Sequence, residues 1–268
     1  LRILSYNTAT IPAAVHNAAI KIRKGNLYEP STLVESYSGA DVLFLVSFPS
    51  ISKECYTLHR NAVDAAKAAG VRHIIYTSLS FCGSAEGSTS VAQVAQTHLQ
   101  TEAYLKESGL SYTILHATPN VAQDAVLPND GLEHWANRDE LGEATARVIA
   151  NWQNYINKTI SLTGPELLTG VDIIKKYMKH TGKKVNIRAL PVEEAITWHV
   201  KNGSVPPEQV SFLDNWASWH TAISLGEKAF VDPTFEQLLG RKPRTIDDQA
   251  DELFSASNGL DTKDLVGI

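Results

Sequence analysis

The stretch from Thr57 to Ser80, TLHRNAVDAAKAAGVRHIIYTSLS, decides the fold. Ala62, Val63, Ala66 and Ala69 recur at helical spacing, Gly70 ends the helix, and RHIIYTSLS is an apolar, β-branched run of strand length. A helix that hands over directly to such a strand is half of a βαβ unit. The same order recurs on both sides.

Upstream, LRILSY predicts a strand, AAVHNAAI a short helix and IKIRKGNL a second strand. EPSTLVESYSGA predicts a helix with Pro30 and Ser31 at its start, Leu33, Val34 and Tyr37 on one face, and Gly39 as its C-cap. DVLFLVSF (41–48) is apolar on both sides, which predicts a central strand of a covered parallel sheet. Downstream, SVAQVAQTHLQTEAYLKESGL and SYTILHA repeat helix, glycine stop and strand. The expected fold is an α/β, doubly wound, Rossmann-like parallel sheet with right-handed crossovers. Beyond a loop rich in Pro, Asn and Asp, the remainder is mostly helical and aromatic, read as a small C-terminal lobe over the open end of the sheet. The division is 1–125 for the Rossmann-like core and 126–268 for the remaining sheet elements and the lobe, interleaved as one unit.

Composition bounds the function. The 268 residues are 43% hydrophobic, enough for a full core, and the formal charge of -5 is spread without blocks. That pattern gives no footprint for nucleic acid or an anionic membrane. Two cysteines, Cys55 and Cys82, make no disulfide framework and suit a reducing cytoplasm, and the longest apolar run is too short to cross a bilayer. The expected partners are small molecules or proteins, and the expected assembly is a homodimer.

In open α/β sheets the ligand lies beyond the carboxyl ends of the strands. That rule selects Asn7, Ser47, Phe48, Tyr76, Thr77, Ser78, His116 and Asn120. Their hydroxyl and amide groups suit a cofactor ribose or a substrate carbonyl, and equally suit capping the next helix. His98 shares a helical stripe with Val91, Val94, Glu102 and Leu105, so it faces the sheet, with Glu102 one turn on to orient or charge it. It reads as a general acid over a carbonyl or quinone, or as a core histidine satisfied by Glu102. Trp216, Trp219 and His220 read as the wall of a pocket for a flat substrate, or as the core of the lobe.

Several chemistries find no support. The remaining histidines lack metal-ligand spacing, and no G-x-S-x-G elbow occurs. Tyr76, Tyr104 and Tyr177 are followed four residues on by Ser80, Ser108 and Thr181 rather than by lysine. Neither a G-x-G-x-x-G fingerprint nor a Walker loop is present.

Three segments together, HRNAVDAAKAAGVRHIIYTSLS, THLQTEAYLKESGLSYTILHATPN and LTGPELLTGVDIIKKYMKHTGKKV with LLGRKPRTIDDQADELF, resemble the NmrA-like atypical short-chain dehydrogenase family. The similarity is greatest to its NADPH-dependent quinone oxidoreductase type and runs from about Leu1 to Phe254. The resemblance implies an NADP(H)-binding Rossmann domain, a helical lobe and a substrate cleft between them. It places VSFPS and YTSLS beside the nicotinamide, His98 where the quinone reductase type carries a histidine, and the loop from His116 to Asp124 against cofactor and substrate. LRILSYNTATIP resembles the family's second strand, so the first strand and its glycine loop are expected to be missing, and Tyr6 stands where a basic residue often meets the adenosine 2′-phosphate.

Loss of that strand leaves three expectations: the chain is short at its N-terminus, LRILSY has moved into the first-strand slot, or the neighbouring strands have closed up without nucleotide. Two functions follow. One is an NAD(P)H-linked oxidoreductase acting on a small carbonyl or quinone-like molecule, with His98 as proton donor and Ser78 or Tyr76 polarising the oxygen. The other is a non-redox protein on the same scaffold, either a nucleotide-sensing regulator or a cofactor-independent isomerase, cyclase or dehydratase.

Overall fold

The structure is a computed structural model that describes residues 2–18, 20–48, 53–80, 89–117, 126–202 and 210–254. The main sheet has four parallel strands in the order β3 (Val42–Leu45), β4 (His73–Leu79), β5 (Ser111–Ala117) and β8 (Lys158–Ser161). Helices cover both faces, and the alternation of side chains along each strand sorts them. Ile74, Tyr76 and Ile114 join Leu33 and Tyr37 of α2 (Pro30–Tyr37), Ala62 and Ala66 of α3 (Lys53–Ala68) and Leu105 of α4 (Gln93–Glu107) in one core. Ile75, Leu115 and Ile160 join Ala144 and Val148 of α5 (Arg138–Ala150) and Phe235 of α9 (Thr234–Leu239) in the other. This is the doubly wound arrangement. Gly39 and Gly70 sit at φ +73° and +78°, the left-handed conformation that ends α2 and α3 at no steric cost.

DVLFLVSF departs from its expectation. Val42 packs on one core and Leu43 and Leu45 on the other, so both faces are covered. Yet among the described residues β3 hydrogen-bonds only to β4, making it an edge, with Phe44 36% and Val46 61% exposed. Apolar periodicity reports faces, whereas hydrogen-bonded neighbours lie in the plane of the sheet and leave no mark on the pattern. On that side, β1 (Arg2–Ser5) and β2 (Lys21–Lys24) form a separate parallel pair, flanking the short α1 (Ala13–Asn17). Leu4 and Leu27 pack on the same core as Leu45, but among the described residues β1 bonds only to β2. The two edges have not closed up, and LRILSY has not moved in beside β3.

Residues beyond 126 supply β8, α5 and α9 to the main sheet and also build the lobe. There β6 (Val126–Pro128) pairs in parallel with β10 (Arg188–Leu190), under α7 (Val192–Lys201) and α8 (Val210–Ser224). The hairpin-like pair β7 (Glu133–His134) and β9 (Leu167–Leu168) lies beside α6 (Gly170–Thr181) and α10 (Ala250–Phe254). Lobe and sheet meet closely at Gly164, where an added Cβ would stand 1.7 Å from the carbonyl oxygen of Trp135.

That contact is with backbone, so no rotamer change relieves it. Gly164→Ala is expected to cost about 3 kcal/mol or more by urea unfolding. Gly142→Ala, in the interior of α5 with nothing within 4 Å, is expected to stabilise by about 0.5–1 kcal/mol. Equal midpoints for the two variants would refute this.

Candidate active site at the strand ends

A buried polar layer lies between β4, β5 and the helices α3 and α4. Tyr76 and Ser78 on β4 and His116 on β5 share the face turned to those helices, with Ser78 opposite His116 and His116 opposite Ser161 of β8. The same stripe of α4 buries Thr97, His98, Thr101, Glu102 and Leu105. One carboxylate organises half the layer. Glu102 Oε1 accepts from Ser78 Oγ at 2.6 Å and from His116 Nε2 at 2.9 Å. Burial alone would raise its pKa, but the bonds from His116 and Ser78 and the nearby Lys106 outweigh it, so the carboxyl titrates below its ordinary value.

The other half runs through rings. Tyr76 Oη lies 3.0 Å from His98 Nδ1 and 3.3 Å from His59 Nδ1, and His59 Nδ1 lies 3.0 Å from Thr101 Oγ1. The backbone N–H of Phe48 donates to His59 Nε2 at 2.8 Å. Burial lowers His59 to about 4. Burial first, and His59 next, lower His98 to about 3. Both imidazoles are therefore uncharged at neutral pH. Burial raises the Tyr76 phenol far above its ordinary value.

These facts revise the expected roles. His98 is 6% exposed and partnered by Tyr76, while Glu102 bonds Ser78 and His116 instead of orienting His98. A neutral imidazole donates a hydrogen bond rather than acting as an imidazolium acid. Tyr76 is 0% exposed, with its hydroxyl between His59 and His98. Ser78 has committed its proton to Glu102.

Of the remaining candidates, Ser47 and Thr77 tie the ends of β3 and β4 together: Ser47 N–H donates to Thr77 Oγ1 at 2.8 Å and Thr77 Oγ1 donates to Ser47 Oγ at 3.3 Å. Asn7 is exposed and caps the short turn Thr8–Thr10 through Ala9 N–H. Asn120 and the rest of loop 118–125 lie outside the described residues. Trp216 stacks edge-on against His199 and His220 within the lobe. Trp219 reaches the sheet, packing with Leu79, Ala92 and Ala222.

Lys228, Glu133 and His134 escaped the sequence reading, because nothing in a linear pattern joins residues about ninety apart. Lys228 is fully buried, pairs with Glu133, and stands 5.1 Å from the Trp219 ring and 6.0 Å from that of Trp135. Next to it, Glu227 accepts from Ser90 Oγ and Val91 N–H, fastening the lobe to the start of α4. His134 is buried with neither ring nitrogen hydrogen-bonded among the described residues, and burial lowers its pKa to about 3. His59 was legible in principle, since it precedes Ala62 by one turn on the packing side of α3.

At the strand ends, three buried polar atoms on neighbouring strands have no hydrogen-bond partner among the described residues: Ser80 Oγ just past β4, His116 Nδ1 on β5 and Ser161 Oγ on β8. Among the described residues no group of three or more metal-ligating side chains converges, and no helix is long and apolar enough to cross a membrane.

The family described as NAD(P)H-binding matches residues 1–142. An NmrA-like family domain-containing oxidoreductase of Aspergillus flavus is 31% identical over 197 residues, which are 69% of this chain and 63% of that protein. Quinone oxidoreductase 2 of Escherichia coli is 27% identical over 252 residues, 89% of this chain and 84% of its own. The structure of the NADPH-dependent quinone oxidoreductase QOR2 of E. coli in complex with NADPH superposes with a TM-score of 0.80 at 25% identity, covering 95% of this chain and 90% of that one.

The buried histidines make stability depend on pH with a definite sign. His59, His98 and His134 titrate near 4, 3 and 3 when folded and near 6.5 when unfolded. Between pH 6.5 and about 4 the unfolded chain takes up protons that the folded chain refuses, so stability falls with falling pH, by at most about 1.4 kcal/mol per unit per histidine. The urea midpoint is expected to be lower at pH 5.0 than at pH 7.5, and His134→Leu to flatten the dependence. A midpoint independent of pH across this range would contradict the assignment.

Proposed function

This chain belongs to the NAD(P)H-binding family; we propose that it is an NmrA-like, NAD(P)H-linked reductase of a small carbonyl or quinone-like molecule. The observation that carries this reading is the row of unpartnered polar atoms, Ser80 Oγ, His116 Nδ1 and Ser161 Oγ, at the carboxyl ends of three adjacent parallel strands. Buried polar groups without partners cost roughly 1–3 kcal/mol each, and a ligand with donors and acceptors in that position removes the cost. A nicotinamide and its ribose carry such groups. Phe48, Ser47 and Thr77 at the ends of β3 and β4 and His116 on β5 would hold that half of the cofactor. Asn7, at the end of β1, is the candidate for the adenosine side.

When bound, the cofactor supplies the hydride. The chain's own task is to orient the acceptor and to stabilise charge on its oxygen. His98 does this as a neutral hydrogen-bond donor, with the proton then drawn from water, since burial holds the ring below the range in which it carries a second proton. Ser78 acts through Glu102 to fix the end of β4, and Tyr76 acts behind His98. Trp219, at the junction of lobe and sheet, is the aromatic candidate for the substrate wall; Trp216 and His220 line the lobe behind it.

A second reading rests on the edges of β1 and β3, which are not hydrogen-bonded to each other among the described residues. In it the scaffold has no nucleotide and serves redox-neutral chemistry or regulation. Fluorescence titration with NADPH and, separately, NADH distinguishes the two: saturable binding in the micromolar range is expected, and no binding up to millimolar would give the second reading the field. With a quinone or enone substrate in hand, His98→Ala is expected to lower kcat by about 100-fold, and unchanged turnover would remove His98 from the site.

A further inference from the structure

The hydrogen bonds beneath His98 run in one direction only. Phe48 offers a backbone N–H, which can only donate, so His59 Nε2 must accept and, in a neutral ring, the proton of His59 sits on Nδ1. That Nδ1–H faces Thr101 Oγ1 at 3.0 Å and Tyr76 Oη at 3.3 Å. Thr101 has already given its own proton to the carbonyl oxygen of Thr97 at 2.9 Å, so it accepts from His59. The Tyr76 hydroxyl therefore cannot donate toward His59. The ring nitrogen left to take its proton is His98 Nδ1, at 3.0 Å. Once His98 Nδ1 accepts, its ring proton is on Nε2.

We infer that His59 and Tyr76 are positioning residues that hold His98 as the Nε2–H tautomer, through a chain of hydrogen bonds whose polarity is set by the Phe48 backbone amide. The inference rests on the reading that His98 faces the acceptor. It supplies what that reading lacks, a reason why the ring presents a donor to a carbonyl oxygen instead of a lone pair that would repel it. In the opposite tautomer His98 Nδ1–H would donate to Tyr76 Oη and the phenol proton would lose its ring-nitrogen acceptor, leaving it only Thr101 Oγ1, which already faces His59 Nδ1–H; reversing the rest of the chain is blocked at both ends, by an amide that cannot accept and by a threonine held to its own helix. Cys55 Sγ, donating to the Phe48 carbonyl oxygen at 3.3 Å, pins the other side of the residue that starts the chain. Among the described residues, His98 Nε2 has no protein partner, which leaves it for the acceptor.

Long-range 1H–15N correlation spectra of the full chain labelled at histidine, recorded at pH 7.5, read each ring nitrogen directly. His59→Gln and His98→Gln identify the two spin systems. The expected spectrum has a protonated, pyrrole-type Nε2 and a pyridine-type Nδ1 for His98, and the reverse for His59; either ring in the other tautomer would overturn the inference without any further variant. Tyr76→Phe removes the donor to Nδ1, so the His98 Nδ1 signal is expected to shift toward the free pyridine-type value, and an unchanged signal would count against the relay. His59→Gln keeps the polarity, because its amide oxygen accepts from Phe48 and its amine donates to Thr101, and should leave the His98 signals in place where His59→Leu moves them. These readouts do not depend on turnover. His98→Ala with full activity would sink the catalytic reading while the tautomer chain stands, and a wrong tautomer with an inactive His98→Ala would do the opposite.

Discussion

Glu102 is a carboxylate buried to 3% exposure in the middle of a helix, and the arrangement of the strand ends depends on its being satisfied. An unpaired charge in that position would be strongly destabilising, so α4 can dock on the sheet only where β4 and β5 bring donors to meet it. Ser78 and His116 do so from adjacent strands in register. The two bonds fix the rotation of α4 about its axis. That rotation sets His98, one turn earlier, over Tyr76 and His59.

The layer combines two kinds of polar burial. Around Glu102 a charge is retained because two hydrogen bonds and Lys106 outweigh the loss of water. Around His98 charge is excluded, because burial, reinforced by the neighbouring His59 ring, outweighs the pull of Glu102. In the lobe, Lys228 and Glu133 form a second buried pair beside the rings of Trp219 and Trp135.

The open edges of β1 and β3 have a different physical origin from the rest. Leu4, Leu27 and Leu45 share one core, so the separate strand pair is held by side-chain packing on the helix side and not by a ladder. Packing of this kind is non-directional and needs no hydrogen-bond ladder between the two strand pairs.

The sequence by itself determined the class of fold and the helix and strand order, because apolar period, glycine stops and strand-length β-branched runs are local signals: α3, β4, α4 and β5 lie where their residues predict. It also determined the buried stripe of α4 that carries His98 and Glu102, since helical spacing alone aligns them. It could not determine which partner each buried polar group takes. Glu102 stands one turn from His98 and yet serves Ser78 and His116, because strand register, not helix spacing, brings those donors within reach. The edge position of β3, the Lys228–Glu133 pair and the direction of the chain from Phe48 to His98 were decided only in three dimensions. Each depends on contacts between residues distant in sequence, where the geometry of a single donor or acceptor, rather than a periodic average over many residues, chooses the outcome.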